Sequence, residues 1–275
     1  MELVAQPEPL ELAYSTACFP PEWREKALDS AEGGAKWCEI SLAVDSVLPV
    51  PNWARLMGDN GINCWSVHAP FGRDVDLSAM DGDIRAAAMA TTLRAVDIAE
   101  QLGAHVLVIH GGAEPVAARE RPARLDFARA AICQVARACH DAGLLLAVEF
   151  LPRTCPGNCV DELLHFLDGI GSDMAGVCLD VNHANLGQDI LANIGELGER
   201  ILSLHISDND ALDEKHWLPG QGVLDWVAIV AALQRCGYRG PFLYESARDR
   251  AGGVITPQVI RNNYERLILP LLIKE

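Results

Sequence analysis

The sequence predicts an α/β protein built as a (β/α)8, or TIM, barrel, and three observations carry that prediction. Strand and helix signals alternate from end to end of 275 residues, and eight such units in about this length close a ring of parallel strands. The strand-like segments are short apolar runs bounded by glycine, proline or polar residues, the pattern of strands buried on both faces. Six of these runs close on a residue of one chemical type: His68, His110, Glu149, Asp180, His205 and Glu245. Barrel strands open at their last residues onto the face that carries chemistry. An open doubly wound sheet is the alternative, but it gathers its site at a single switch point and leaves six successive capped strands unexplained.

Taken in order, strands are expected at 11–18, 37–43, 63–68, 105–110, 144–149, 175–181, 201–206 and 241–245, with helices at 22–33, 51–60, 83–102, 122–142, 160–170, 188–198, 225–236 and 256–268. The helix at 83–102 is typical: Ile84, Ala87, Ala88, Val96 and Leu102 recur at helical spacing among Arg85, Arg94, Asp97 and Glu100. Gly103 and Gly143 then stand where a helix ends and a strand begins at once. No linker or low-complexity stretch interrupts the pattern, so residues 1–275 read as one domain. The one long connection, 207–225, is of the kind that shapes a site on a barrel.

Composition bounds the function. A formal charge of −16 repels nucleic-acid phosphate and anionic membranes at long range, so neither is an expected partner. It does not forbid a small anionic substrate, because a local cation and a few arginines can reverse the field inside a pocket. Nine cysteines show no framework spacing, and Cys38, Cys64 and Cys178 fall inside expected strands, which favours reduced thiols. Cys155 and Cys159 lack the second pair that a zinc knuckle requires. With no signal peptide and no apolar run long enough to span a bilayer, a cytoplasmic location is expected.

A histidine at a strand end is commonly structural, and that reading is taken for His105, His140 and His165. Glu149 and Glu245 differ, because a carboxylate closing a buried apolar run would be badly desolvated without a cation. Asp180 and His205 lie on the strands between them, so four oxygen or nitrogen ligands converge from strands five to eight. That set suits one divalent ion, Mn2+, Mg2+, Co2+ or Zn2+. His183, three residues after Asp180, is a further ligand, a substrate contact or a partner of a ligand.

Four segments then resemble a known family: Val148-Glu-Phe150, Leu179-Asp-Val-Asn-His-Ala184, Ser203-Leu-His-Ile-Ser-Asp-Asn209 and His216-Trp-Leu-Pro-Gly-Gln-Gly222. They are similar to the xylose isomerase-like TIM barrels, which include sugar phosphate isomerases and epimerases and the apurinic endonucleases. The stretch 34–40, with Glu39, resembles the family's second strand. The resemblance runs from about 11 to 268 and is specific for the superfamily rather than for a substrate.

The resemblance implies a metal held by Glu149, Asp180, His205 and Glu245, with Glu149 and Glu245 as the acid/base pair on either side of a small carbohydrate. A proton beside a carbonyl becomes removable when a cation stabilises the enediolate oxygen, and one carboxylate can take it while another group returns it. By the same resemblance His183, His68, His110 and His216 contact substrate, and Arg153 offers positive charge to a phosphate or carboxylate or else forms a salt bridge. Trp217, Trp65 and Phe71 are candidate apolar walls, core packing being an equal reading for Trp65. Two departures are visible. Segment 207–212 has no arginine where ketose epimerases carry one, and the family's Gly-Glu-Gly reads Gly220-Gln-Gly222. The family also includes dehydratases and lyases of keto-polyols and oxidised sugars, which use the same metal-enolate chemistry. A three-zinc phosphodiesterase drawing on His68, His110, His183 and His216 is the reading from another class; the acidic charge and the lack of a basic face oppose it. Barrels of this type often form homo-oligomers, and no self-complementary patch is evident in the sequence.

Overall fold

The structure is a computed structural model that describes residues 6–20, 24, 27–28, 34–42 and 50–273. Its eight strands are β1 Leu12–Ser15, β2 Trp37–Ser41, β3 Asn63–His68, β4 Val106–Ile109, β5 Leu145–Glu149, β6 Ala175–Asp180, β7 Ile201–His205 and β8 Phe242–Tyr244. They form one parallel sheet in the order β7-β6-β5-β4-β3-β2-β1-β8. Just past β7 the ring closes: Ile206 donates to the Leu243 carbonyl and accepts from the Glu245 amide, both at 2.9 Å. Neighbours in space are neighbours in sequence, with no reversal of strand order, which rules out the doubly wound sheet.

Helices alternate with the strands: α1 Val50–Asn60, α2 Gly82–Gln101, α3 Arg121–Asp141, α4 Val160–Leu167, α5 Val181–Ala184, α6 Ile190–Leu197, α7 Trp226–Arg235, α8 Pro257–Leu267 and α9 Leu269–Leu272. The helix expected at 22–33 falls largely outside the described residues, as does residue 43 at the end of the second expected strand. Two differences from the expected pattern have local causes. The first strand stops at Ser15, whose hydroxyl accepts from the Ala17 amide at 3.2 Å and starts a 3-10 turn over Thr16–Cys18. The turn α5 follows β6 directly because the Asp180 carboxylate caps it, accepting from the amides of Asn182 and His183. No described helix is long and apolar enough to cross a membrane.

Alternate residues of each strand serve two different cores. Leu12, Tyr14, Leu107, Ile109, Leu146, Val148, Phe242 and Tyr244 face the helices and join the large hydrophobic cluster. Ala13, Trp37, Trp65, Val106, Val108, Ala147, Cys178 and Leu243 fill the barrel itself. Trp65 is thereby a core residue and not a pocket wall: its indole stacks on His105 at 5.2 Å, meets Trp37 edge-on, and donates to Ser203 Oγ at 3.2 Å.

The pleat alone would not bring every strand end to the mouth. Pairing of β2 with β3 skips Trp65, and pairing of β6 with β7 skips Leu202. Each skip is a bulge that turns two consecutive residues inward, Trp65 with Ser66 and Leu202 with Ser203. The pleat is reset by one residue, and His68 and His205 then face the mouth. Gly176 makes room for the second bulge, since a Cβ there would lie 2.2 Å from the Arg200 carbonyl and 2.6 Å from the Leu202 side chain.

Candidate active site

The inward residues one layer above the barrel core are polar and deeply buried. Ligand atoms of Glu149, Asp180, His205 and Glu245 all lie within 4.8 Å of one another. Glu149 and Asp180 are buried strand ends of β5 and β6, His205 closes β7, and Glu245 follows β8. Glu149 is the hub of this layer. Its Oε2 is 2.9 Å from His68 Nε2 and 3.1 Å from His110 Nε2, while its Oε1 is 3.3 Å from His205 Nδ1 and 3.4 Å from His183 Nδ1.

Electrostatics divide the two glutamates. Burial would push Glu149 up, but His110 and His205 beside it hold its carboxyl well below the usual carboxylate range. Burial pushes Glu245 up, and although His205 opposes the shift, Glu149 and Asp180 add to it. Burial pulls His183 down, yet Asp180 and Glu149 raise it to about 10.

His205 has carboxylates facing both of its ring nitrogens. Its Nε2 faces Glu39 Oε2 at 3.2 Å, and that oxygen also accepts from Ser66 Oγ at 2.7 Å. Burial opposes ionisation of Glu39, but His205 holds its carboxyl at about 2, so Glu39 only accepts and the proton belongs on Nε2. Burial pulls His205 down, but Cys178, Glu245, Glu39 and Glu149 raise it well above the ordinary imidazole range. A cation would take the place of the proton on Nδ1, which faces Glu149 and Glu245. Among the described residues His205 Nδ1 and Asp180 Oδ2 are buried without a hydrogen-bond partner. An orphaned nitrogen and an orphaned carboxylate oxygen in one four-residue cluster fit a bound divalent ion, as does a histidine whose other nitrogen is tied to a carboxylate. Glu39 was legible as a family feature of the second strand, but not in this role.

Above the layer lies a cavity of about 300 Å³ (a size suited to a small ligand) that reaches His68, His110, His183, His216, Glu149 and Glu245. Phe71 stands half exposed at its mouth, its ring stacked on His110 at 4.1 Å. Gly112 lets the loop after β4 close against its neighbours, because a Cβ there would sit 2.1 Å from Ser78 Oγ and 2.8 Å from Pro156. His216 enters from the long 207–225 connection with a positive φ of 48°, its ring 5.9 Å from His183 and edge-on. Trp217, next in sequence, does not line the cavity. Its backbone pairs with Asp208, and the Arg250 guanidinium covers its ring at 4.8 Å.

The two departures noted in the sequence have structural roles. Asp208, in the segment without an arginine, is fully buried and accepts from the amides of Asn209, Gly220 and Leu224 and from Trp226 Nε1 at 2.9, 2.9, 3.2 and 3.0 Å. It fixes the loop that delivers Glu214 and His216. Gln221 joins that loop to the next one, donating to Asp249 at 2.9 Å and accepting from the Arg250 amide at 2.8 Å.

Arg153 reaches the cavity rim with a positive φ of 49°. Its Nε and Nη2 donate to Glu114 Oε1 at 2.7 and 2.5 Å, and its Nη1 donates to Glu214. Both acids line the cavity, and sequence reasoning assigned neither to it. Two further groups of ligand type share the pocket, His68 with His110 and Glu149, and His183 with Glu214 and His216.

Comparison with known proteins places this geometry. Residues 29–267 match the family described as xylose isomerase-like TIM barrel. A ketose 3-epimerase of Arthrobacter globiformis is 28% identical over 68% of this chain and 63% of its own length. An L-ribulose 3-epimerase of Methylomonas sp. (strain DH-1) is 27% identical over 88% of this chain and 86% of its own. For four of the curated relatives, the Arthrobacter protein among them, the chain spans less than two thirds of their length. The crystal structure of a D-tagatose 3-epimerase-like protein superposes with a TM-score of 0.83 over 96% of this chain and 98% of the other. At 21% identity that likeness speaks for the fold.

Proposed function

This chain belongs to the xylose isomerase-like TIM-barrel family, and from that premise we propose that it is a divalent-metal-dependent isomerase or epimerase of a small sugar, sugar phosphate or keto-polyol. The observation that carries the reading is the buried cluster of Glu149, Asp180, His205 and Glu245 with its two orphaned ligand atoms. Those four side chains would hold the cation. When bound, a divalent cation supplies the positive charge that polarises a sugar carbonyl and acidifies the neighbouring C–H.

The protein's own groups supply the rest. Glu149, kept ionised by the imidazoles around it, is placed to take a proton from carbon. Glu245, raised by its burial beside other carboxylates, is placed to return one. Environments that push two acids apart are what an acid/base pair requires. His183 is oriented by the Phe150 carbonyl at 3.0 Å and presents its second nitrogen in a fixed direction. His68, held by the Ala69 carbonyl at 2.8 Å, instead turns its second nitrogen to Glu149 at 2.9 Å. His183 is suited to substrate hydroxyls, His68 to holding Glu149 in place, and Phe71 to an apolar sugar face. The ketose 3-epimerase and L-ribulose 3-epimerase relatives support the reading, their named activities being interconversions of just this kind.

The test is solvent exchange. Protein supplied with Mn2+, Mg2+, Co2+ or Zn2+ is incubated in deuterated water with a panel of keto-sugars and keto-polyols and followed by NMR. Deuterium entering at the carbon beside the carbonyl, with formation of the isomer or epimer, is expected. Formation of an unsaturated carbonyl product would instead make the enzyme a dehydratase or lyase, and no exchange with any substrate would sink the proposal.

One observation favours a second reading, a phosphodiesterase using three cations. Of the two additional groups, His68–His110–Glu149 shares Glu149 with the first, and His183–Glu214–His216 meets it through the contact of His183 with Asp180. The formal charge of −16 opposes a nucleic-acid substrate. Elemental analysis decides: about one ion per chain supports the sugar enzyme, and about three zinc ions the phosphodiesterase.

A further inference from the structure

The cavity described above carries more carboxylates than cations. Glu114, Glu149, Glu214 and Glu245 line it, against Arg73 and Arg153, and Asp180 lies directly beneath. A divalent ion at the buried cluster leaves the three carboxylates around it one negative charge in excess. His183 is bracketed by Glu149, Asp180 and Glu214, so an anionic substrate needs a guanidinium from the rim.

Arg153 is a guanidinium at the rim, and it is already engaged. Its guanidinium meets Glu114 on one edge and Glu214 on the other. Glu114 is itself fixed. Thr154 Oγ1 donates to its second oxygen at 3.1 Å, and the buried Arg124 donates to the carbonyls on either side of it, Ala113 at 2.7 Å and Pro115 at 3.3 Å. The Glu214 loop is held by Asp208, as shown above. The three charges thus come from the loops after β4, β5 and β7 and carry one net negative charge together. To meet a phosphate, Arg153 would have to abandon two fixed carboxylates and leave both facing the incoming dianion. Arg73 remains at the outer mouth, exposed to solvent, with its Nε donating to the Glu114 carbonyl at 3.1 Å. There its charge is screened.

We propose that Glu114 and Glu214 determine specificity by occupying Arg153, so that the pocket selects an uncharged sugar or polyol and excludes phosphorylated and carboxylated ones. The inference rests on the reading of the cavity as a sugar site and narrows it. Uncharged hydroxyls suit the rim: carboxylates accept from them, and the ion pair need not open.

The experiment measures binding by calorimetry on metal-loaded protein, independently of turnover. The probes are D-allulose, D-fructose 6-phosphate, D-gluconate and inorganic phosphate, applied to the wild type, Glu114→Gln, the double variant Glu114→Gln/Glu214→Gln, and the double variant with Arg153→Ala. The wild type is expected to favour D-allulose over the anions. Freeing Arg153 in the double variant should raise affinity for phosphate and for D-fructose 6-phosphate at least about tenfold, as charge-assisted guanidinium–phosphate bonds become available. Arg153→Ala should abolish that gain, which separates the guanidinium from anion binding at the metal. Wild-type preference for D-fructose 6-phosphate, or a folded, metal-binding double variant with no gain for phosphate, overturns the proposal. If the deuterium test fails with every substrate while the Arg153-dependent gain appears, the isomerase reading falls and the filter stands. Turnover of phosphorylated sugars alone reverses that outcome.

Discussion

The two ends of the barrel interior are made by the same strands and obey opposite rules. At the closed end β2, β5 and β6 contribute Trp37, Ala147 and Cys178, which pack with Trp65 and Leu243 into an apolar plug. Two residues further along each strand the side chains are Glu39, Glu149 and Asp180. The plug has few polar demands, and its one indole donor from Trp65 is met by Ser203. The mouth gathers carboxylates and imidazoles from seven strands and leaves Asp180 Oδ2 and His205 Nδ1 unsatisfied. One layer spacing along a strand thus separates residues that hold the fold from residues that work against it. Burying uncompensated charge costs stability, and a protein keeps such a layer where it performs chemistry.

That contrast can be broken in order of expected effect. Glu149→Gln and Glu245→Gln should each reduce turnover by about 10²–10⁴-fold or more while circular dichroism shows the barrel intact. Comparable activity in both variants would remove the acid/base pair. Trp65→Ala attacks the other end. It should lower unfolding free energy by about 3–5 kcal/mol in urea titrations and leave the metal content per chain unchanged. Loss of metal without loss of stability would show that plug and mouth are not separate.

Glu39→Gln tests the contact between the layers. Without the carboxylate that holds the proton on His205 Nε2, metal affinity should fall by about 10–100-fold in competition with a chelating dye. An unchanged affinity would make Glu39 a bystander.

The smallest effect belongs to the rim. Burial pushes the Glu114 carboxyl up, but hydrogen bonds from Arg153 and Thr154 hold it below its ordinary 4.5. The group is depressed on folding, so its stabilisation is complete above that ordinary value and disappears as pH falls through the lower one. The difference in thermal midpoint between wild type and Glu114→Gln should be constant from about pH 6 to 8 and vanish in acid, with a free energy of no more than about 1 kcal/mol for so exposed a pair. A difference that grows in acid would contradict the assignment.

How much of this was readable in the chain follows from how local each signal is. The eight strands and the four-residue cluster were legible because a buried apolar run that ends on a ligand is a contiguous pattern, and β5 with Glu149 is the clearest case. Glu39 escaped its role because it sits inside β2, followed by Ile40 and Ser41, so it closes no run. Trp65 was ambiguous because its direction depends on a bulge created by pairing with another strand. The ion-pair cluster at the rim was illegible for a similar reason. Arg153 is 39 residues from Glu114 and 61 from Glu214, and only the ring of strands brings their loops together. Trp217 was misplaced because neighbours in an irregular loop need not share a face, whereas on a strand their alternation is fixed.

The bulge at Trp65 gives the strand an unequal tolerance of sequence change along its length. A substitution there empties a space in the plug but preserves the count of residues between Cys64 and His68. Deletion of Trp65 also keeps the phase, because Ser66 then points inward, Val67 toward the helices and His68 toward the mouth. Deletion of Val67, beyond the bulge, would instead turn His68 toward the helices. The same holds one crossing away, where loss of Leu202 would leave His205 facing the mouth and loss of Leu204 would turn it away. Among chains that share this barrel, residues at the two bulges should come and go more freely than residues between each bulge and the histidine beyond it.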